Sequence, residues 1–145
     1  MTSRAALLWA RRSDRRRGVE WTRQASARYR SSVNELLERG RAAFNRGEFF
    51  EAHEHWEEAW RGLQGDERVF VQGLIQIAAG LHHLQHERAR PAAGLLGKGL
   101  EKISRGVPAS LADLRIESLA REVARVLAEL EAPGARKPAA SLGQL

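Results

Sequence analysis

Apolar residues recur at helical spacing along most of the chain, and no stretch alternates apolar and polar residues as a β-strand does. This pattern predicts five helices, over residues 32–45, within 44–61, and over 66–88, 91–104 and 110–131. The third helix is apolar around most of its circumference, so we expect it at the centre of the fold. The predicted fold is an all-α, compact bundle of about five helices, built from antiparallel helix hairpins.

Capping residues mark the ends of several of these helices. Ser31 or Ser32 is suited to begin the first helix, and Gly47 to end it in a left-handed conformation. Asp66 is expected to cap the third helix and Ser110 the last one.

Glycines lie where two helices are expected to approach closely. Gly73 and Gly80 are seven residues apart on one face of the third helix, and Gly94, Gly97 and Gly99 interrupt the fourth helix. Because glycine lowers helix propensity, close packing against a neighbouring helix is the structural explanation for all five.

The second helix combines aromatic and ionisable residues. At 100° per residue one face contains Phe49, His53, Trp56 and Trp60. Glu57 follows His53 by one turn, and we expect both side chains to lean toward the core. A buried carboxylate costs about 1–3 kcal/mol unless a partner offsets it. The candidate partners are His53 itself, a buried arginine or a metal ion.

Polar residues of the third helix extend this candidate site. His82 is expected at the core boundary beside His53 and Glu57, whereas His83 and His86 fit a favourable interaction with the helix dipole. The predicted polar or ligand-binding cluster is His53, Glu54, Glu57, Gln72 and His82. Within it His53, Glu57 and His82 are the candidate ligands for a divalent metal such as Zn, Mn, Fe or Ni.

Composition narrows the classes of function. The 145 residues suit one domain, and the absence of cysteine excludes disulfides, thiolate catalysis and cysteine zinc sites. This fits a reducing compartment, and we expect a cytoplasmic protein. No apolar run is long enough for a membrane span.

The net charge of +6 belongs to the first residues of the chain. Residues 1–30 hold nine arginines against Asp14 and Glu20, a local +7, whereas the remaining residues are nearly neutral. We predict a disordered Arg-rich extension over residues 1–31, a bundle domain over 32–131 and a flexible tail over 132–145. Nucleic-acid binding through the extension is a weaker alternative.

The chain resembles the domain of unknown function 309 family of small bacterial and archaeal proteins over about residues 33–130. The residues that carry the resemblance are Phe44, Gly47, Phe49, Phe50, Glu51, His53, Glu54, Glu57, Trp60, Gln72 to Ile75, Ala78 to His82, Gly94, Leu96 and Leu100. The resemblance implies a multihelical bundle and no agreed activity. It implies that the five cluster residues match the family's motif, and the Arg-rich extension has no counterpart in it.

Two hypotheses about function follow. In the first, the protein is a structural or interaction module, in which a buried His–Glu cluster fixes helix register and the partner is a second copy or another protein. Residues 42–60 also resemble one helical pair of a tetratricopeptide array, although such an array needs about three repeats. In the second, a metal or small-ligand site lies between the second and third helices, as in a metal-dependent hydrolase. The sequence leaves open whether the protein is an enzyme.

Overall fold

The computed structural model describes residues 15–132 and 144–145, with the backbone alone for residues 15–22. The described residues contain five α-helices, one 3-10 helix and no strand, which confirms the all-α fold. The α-helices are α1 (Arg15–Asn45), α2 (Phe49–Trp60), α3 (Gly65–Gln85), α4 (Ala89–Ile103) and α5 (Ile116–Glu131), and the 3-10 helix (Ala109–Leu111) precedes α5.

The chain divides into two units, residues 1–35 and residues 36–145. The described part of the first unit is helical throughout. The second unit contains the end of α1 and all of α2 to α5. The division into extension, bundle and tail remains a prediction, because residues 1–14 and 133–143 lie outside the described residues.

Helix α1 begins much earlier than the sequence predicts. The predicted start at Ser32 is wrong, since the helix already begins at Arg15 and Ser31 and Ser32 lie in its interior. Residues 15–31 contain no proline and are rich in arginine, which is a good helix former. The part of the predicted disordered extension that is described is therefore helical.

Helix α3 lies at the centre of the second unit, as predicted. It packs against α2 and against α4, and α4 packs in turn against α5. The fully buried side chains of α3 are Phe70, Val71, Leu74, Ile77, Leu81 and Leu84. Burial of this large apolar surface is the main stabilising contribution to the bundle.

Glycines allow α3 and α4 to approach closely. A Cβ atom added at Gly73, Gly80 or Gly99 would meet atoms of the facing helix at 2.6–2.9 Å, too close for any side chain. The prediction of close packing is confirmed for these three. It is wrong for Gly94 and Gly97, where an added Cβ meets nothing closer than 3.9 Å.

The predicted helix end at Gly47 is confirmed, and the predicted caps at Asp66 and Ser110 are wrong. Gly47 follows α1 with φ of 77°, the left-handed conformation that favours glycine. Asp66 does not cap α3, because the helix already begins at Gly65 and Asp66 lies in its first turn. Ser110 does not cap the last helix either, since it belongs to the 3-10 helix and α5 begins only at Ile116.

Candidate functional site

Two alanines define the buried face of α2. The buried residues of this helix are Phe49, Ala52, Trp56 and Ala59. The Trp56 indole packs directly on Gly40 of α1, and its Nε1 donates a hydrogen bond of 3.1 Å to the Leu37 carbonyl oxygen. Because Ala52 and Ala59 are buried in place of His53 and Trp60, the buried face is rotated away from the one that the large residues predict.

This rotation moves His53 and Glu57 to the edge of the buried face. Their side chains are 27% and 45% exposed, and 3.8 Å separates His53 Nε2 from Glu57 Oε2. The distance is that of an ion pair and too long for a hydrogen bond. Where side chains are described, no polar or charged residue is buried. The predicted burial of the His–Glu cluster is therefore wrong, because water reaches both side chains.

One nitrogen of His53 is unsatisfied. Its Nδ1 is buried and has no hydrogen-bond partner among the described residues, while Nε2 faces Glu57. A proton on Nε2 would point toward the carboxylate, which favours the tautomer protonated at that nitrogen.

Aromatic and imidazole rings meet where α2 begins and α3 ends. Phe50 is 47% exposed, and its ring centroid lies 6.2 Å from that of His53 and 5.3 Å from that of His82. The His82 and His86 rings are 4.5 Å apart at an interplanar angle of 69°. We call Phe50, His53, His82 and His86 the phenyl–imidazole cluster.

Sequence reasoning placed neither Phe50 nor His86 among the site residues, although Phe50 left a signal in the sequence. The signal was the doublet of Phe49 and Phe50. Adjacent residues on a helix point about 100° apart, so one narrow buried face accommodates only one of them. Phe49 is buried at 3% exposure, and Phe50 is left to the solvent.

The environment of His82 disfavours its charged form. Burial lowers the pKa of His82 from its ordinary value of 6.5, and the nearby His86, His83 and Arg88 lower it further. Glu51 on α2 acts in the opposite direction. His82 is therefore a mostly neutral imidazole at pH 7.

Carboxylates surround the cluster on α2. Glu51, Glu54 and Glu58 are exposed, Glu57 is half-buried, and the helix contains no lysine or arginine. Glu54 follows Phe50 by one turn, so both lie on the same side of the helix. The face of α2 beside the phenyl ring therefore carries only acidic charges, while Arg88 acts on His82 and Arg46 interacts electrostatically with Glu51 from outside this helix.

The structure does not bring all the predicted site residues together. Gln72 is half-buried on α3 and precedes His82 by ten residues, about 15 Å along the helix axis. Residues 15–132 and 144–145 contain no group of three or more His, Asp or Glu side chains that could hold a metal ion. The predicted convergence of His53, Glu57 and His82 on one metal is thus not found in the described residues.

Residues 37–95 match the family model described as Domain of unknown function (DUF309). This segment belongs to that family. The DUF309 segment runs from the end of α1 into α4 and includes the phenyl–imidazole cluster and all five predicted site residues. The rest of α4 and α5 lie outside the match, although the resemblance was expected to reach about residue 130.

Comparison with curated proteins and with solved structures gave no match. None of the helices in the described part of the chain has the length and apolar character needed to cross a membrane. The function of the DUF309 segment must therefore be inferred from the surface that it presents.

Proposed function

We propose that this protein is an interaction module that binds a basic segment of a partner protein through Phe50 and the carboxylates beside it. The observation that carries the proposal is the half-exposed Phe50 ring. It contacts the imidazoles of His53 on α2 and His82 on α3, and α2 is rich in carboxylates. His53, Glu54, Glu57 and His82 take part as the rim of this surface.

The exposed part of Phe50 gives a partner apolar area to cover. Nearly half of the side chain remains accessible, about 90 Å² for a residue of this size. Covering it would contribute about 2 kcal/mol to binding, which is typical of an aromatic anchor at the centre of a contact surface.

The charges favour a cationic partner. An arginine guanidinium can stack on an aromatic ring and pair with a carboxylate at the same time. Glu51 and Glu54 are exposed; Glu54 follows Phe50 by one turn of α2, and Glu51 acts electrostatically on His82, whose ring contacts Phe50. Because His82 is mostly neutral at pH 7, it adds little repulsion toward a cation.

The geometry supports this proposal better than a metal site. A metal site needs at least three ligands around one point, and the described side chains form no such group. The ring contacts of Phe50 instead leave a surface with one apolar centre and a polar rim, which is the anatomy of a protein contact.

A site-specific crosslink tests the proposal. The full chain would be produced, in the cells of its own organism, with the photoreactive residue p-benzoylphenylalanine in place of Phe50. We expect an adduct whose crosslinked peptide, identified by mass spectrometry, is rich in arginine or lysine. Adding Glu51→Lys and Glu54→Lys should lower its yield about tenfold, because favourable pairs become repulsive.

The matched control places the same residue at Val107, an apolar side chain that is 41% exposed in the same unit. The proposal would be contradicted by equal crosslink yields at positions 50 and 107. It would also be contradicted if the charge reversal left the yield at position 50 unchanged. A crosslink to a second copy of this chain would replace the partner protein by a homodimer.

A further inference from the structure

A different surface, at the end of α1, already holds a peptide segment. The Asn45 side chain contacts both backbone groups of Leu145: Leu145 N donates to Asn45 Oδ1 at 2.6 Å, and Asn45 Nδ2 donates to the Leu145 carbonyl oxygen at 3.3 Å. Arg41 Nε donates to the same oxygen at 3.0 Å. Gln144 adds a hydrogen bond of 3.1 Å from its Nε2 to the Asn45 carbonyl oxygen.

The side chain of Leu145 is bound as closely as its backbone. It is 3% exposed, comparable with the core residues of the bundle. An asparagine amide has an acceptor oxygen and an NH2 donor group side by side, which match the N–H and the backbone oxygen of a single residue. The site therefore binds the backbone of Leu145 through hydrogen bonds and buries its side chain.

Two carboxylates contact the Arg41 guanidinium. Its Nη1 lies 2.9 Å from Asp113 Oδ2, in the segment before α5, and 3.7 Å from Glu38 Oε1 on α1. These two contacts do not involve Leu145, so they orient the guanidinium independently of it. Such preorganisation is what distinguishes a binding site from an incidental contact.

We propose that Arg41 and Asn45 form a peptide-binding site for a leucine-containing segment, and that Gln144 and Leu145 occupy it in cis. A segment of the same chemistry, glutamine followed by leucine, can take their place in trans. Attachment to the same chain gives the chain's own segment a high effective concentration, so it masks the site from free peptides. This site shares no residue with the surface around Phe50, and the two proposals stand or fall separately.

Peptide binding in trans tests the proposal directly. The probe is a fluorescent peptide of residues 141–145, Ser-Leu-Gly-Gln-Leu, titrated with the full chain and with a variant that lacks only Gln144 and Leu145. We expect the shortened variant to bind at least tenfold more tightly, because its site is vacant. Asn45→Ala in the shortened variant should weaken binding about tenfold. A peptide with aspartate in place of the final leucine should not bind.

The chain provides a matched control in Asn34, its second asparagine, which is exposed on the same helix. Asn34→Ala should leave peptide affinity unchanged. Equal affinity of the full and shortened chains, or equal effects of the two asparagine substitutions, would overturn the proposal.

A measurement on the full chain avoids any dependence on the folding of the shortened variant. Amide hydrogen exchange at Leu145 should be about tenfold slower in the wild type than in Asn45→Ala, since Asn45 Oδ1 accepts that hydrogen. Asn34→Ala should exchange like the wild type. Fast exchange at Leu145 in the wild type would show that the site is not occupied in cis, and would overturn the proposal.

Discussion

The contact between α3 and α4 and the surface around Phe50 use their residues in opposite ways. At the helix contact, glycines leave no room for a side chain, and the neighbouring atoms determine which residue fits. Around Phe50, a large apolar ring is half in water although the same helix buries Phe49 and Trp56. Packing within the fold accounts for the first region and leaves part of the second unexplained, which is why we assign function to the second.

Filling the helix contact should have the largest effect on stability. In Gly99→Ala the new Cβ would lie 2.6 Å from Ile77 Cγ1 and 2.7 Å from the Gly73 carbonyl oxygen, and a backbone atom cannot move aside. We expect the free energy of unfolding, measured by urea denaturation, to fall by about 3 kcal/mol.

Gly94→Ala is the control for this substitution on the same helix. An added Cβ there meets nothing within 4 Å, so the higher helix propensity of alanine should raise the free energy of unfolding by up to about 1 kcal/mol. Similar effects of the two substitutions would show that α3 and α4 are not in close contact.

The two tryptophans of α2 should differ in their contribution to stability, with an intermediate effect for Trp56. Trp56 is 1% exposed and donates to the Leu37 carbonyl oxygen, so Trp56→Phe should lower the free energy of unfolding by about 2 kcal/mol. Trp60 Nε1 is buried and has no hydrogen-bond partner within the described part of the chain, and the Arg68 guanidinium carbon lies 3.7 Å from the centroid of its ring. Trp60→Phe keeps an aromatic ring for Arg68, and the removal of the unsatisfied N–H offsets the loss of part of a half-buried indole.

We therefore expect Trp60→Phe to change the free energy of unfolding by no more than about 0.5 kcal/mol. Thermal and urea denaturation of both variants against the wild type provide the measurement. If Trp60→Phe cost as much as Trp56→Phe, the buried face of α2 would not be the one defined by Ala52 and Ala59.

The sequence predicted the order and central helix of the bundle because long apolar stripes dominate helix packing. The site residues that it predicted lie on α2 and α3, where the surface that we propose also lies. It did not predict the rotation of α2, because the pattern was read from large residues such as His53 and Trp60. The buried face includes Ala52 and Ala59, and alanine carries little weight in an apolar pattern.

Two other features left no local signal. Helix α1 extends back to Arg15 through residues that are helix formers without an apolar stripe. The contact of Asn45 with Leu145 joins residues 100 positions apart, and neither residue marks it in its own neighbourhood. Such pairings depend on how the whole chain is folded, which no short motif encodes.

The smallest expected effect is the contribution of His82 to the pH dependence of the free energy of unfolding. The folded-state pKa of His82 lies below 6.5, chiefly because of burial, so the unfolded chain binds more protons than the folded one as pH falls past 6.5. His82 therefore makes the protein less stable on acidification, and this contribution is absent above the ordinary pKa.

In His82→Gln the urea midpoint should fall less than that of the wild type between pH 7.5 and 5.5. Gly94→Ala should keep the wild-type response, and high salt should weaken the part due to His86, His83 and Arg88 while leaving the part due to burial. Equal pH responses of His82→Gln and the wild type would show that the imidazole is as well solvated in the folded protein as in the unfolded chain.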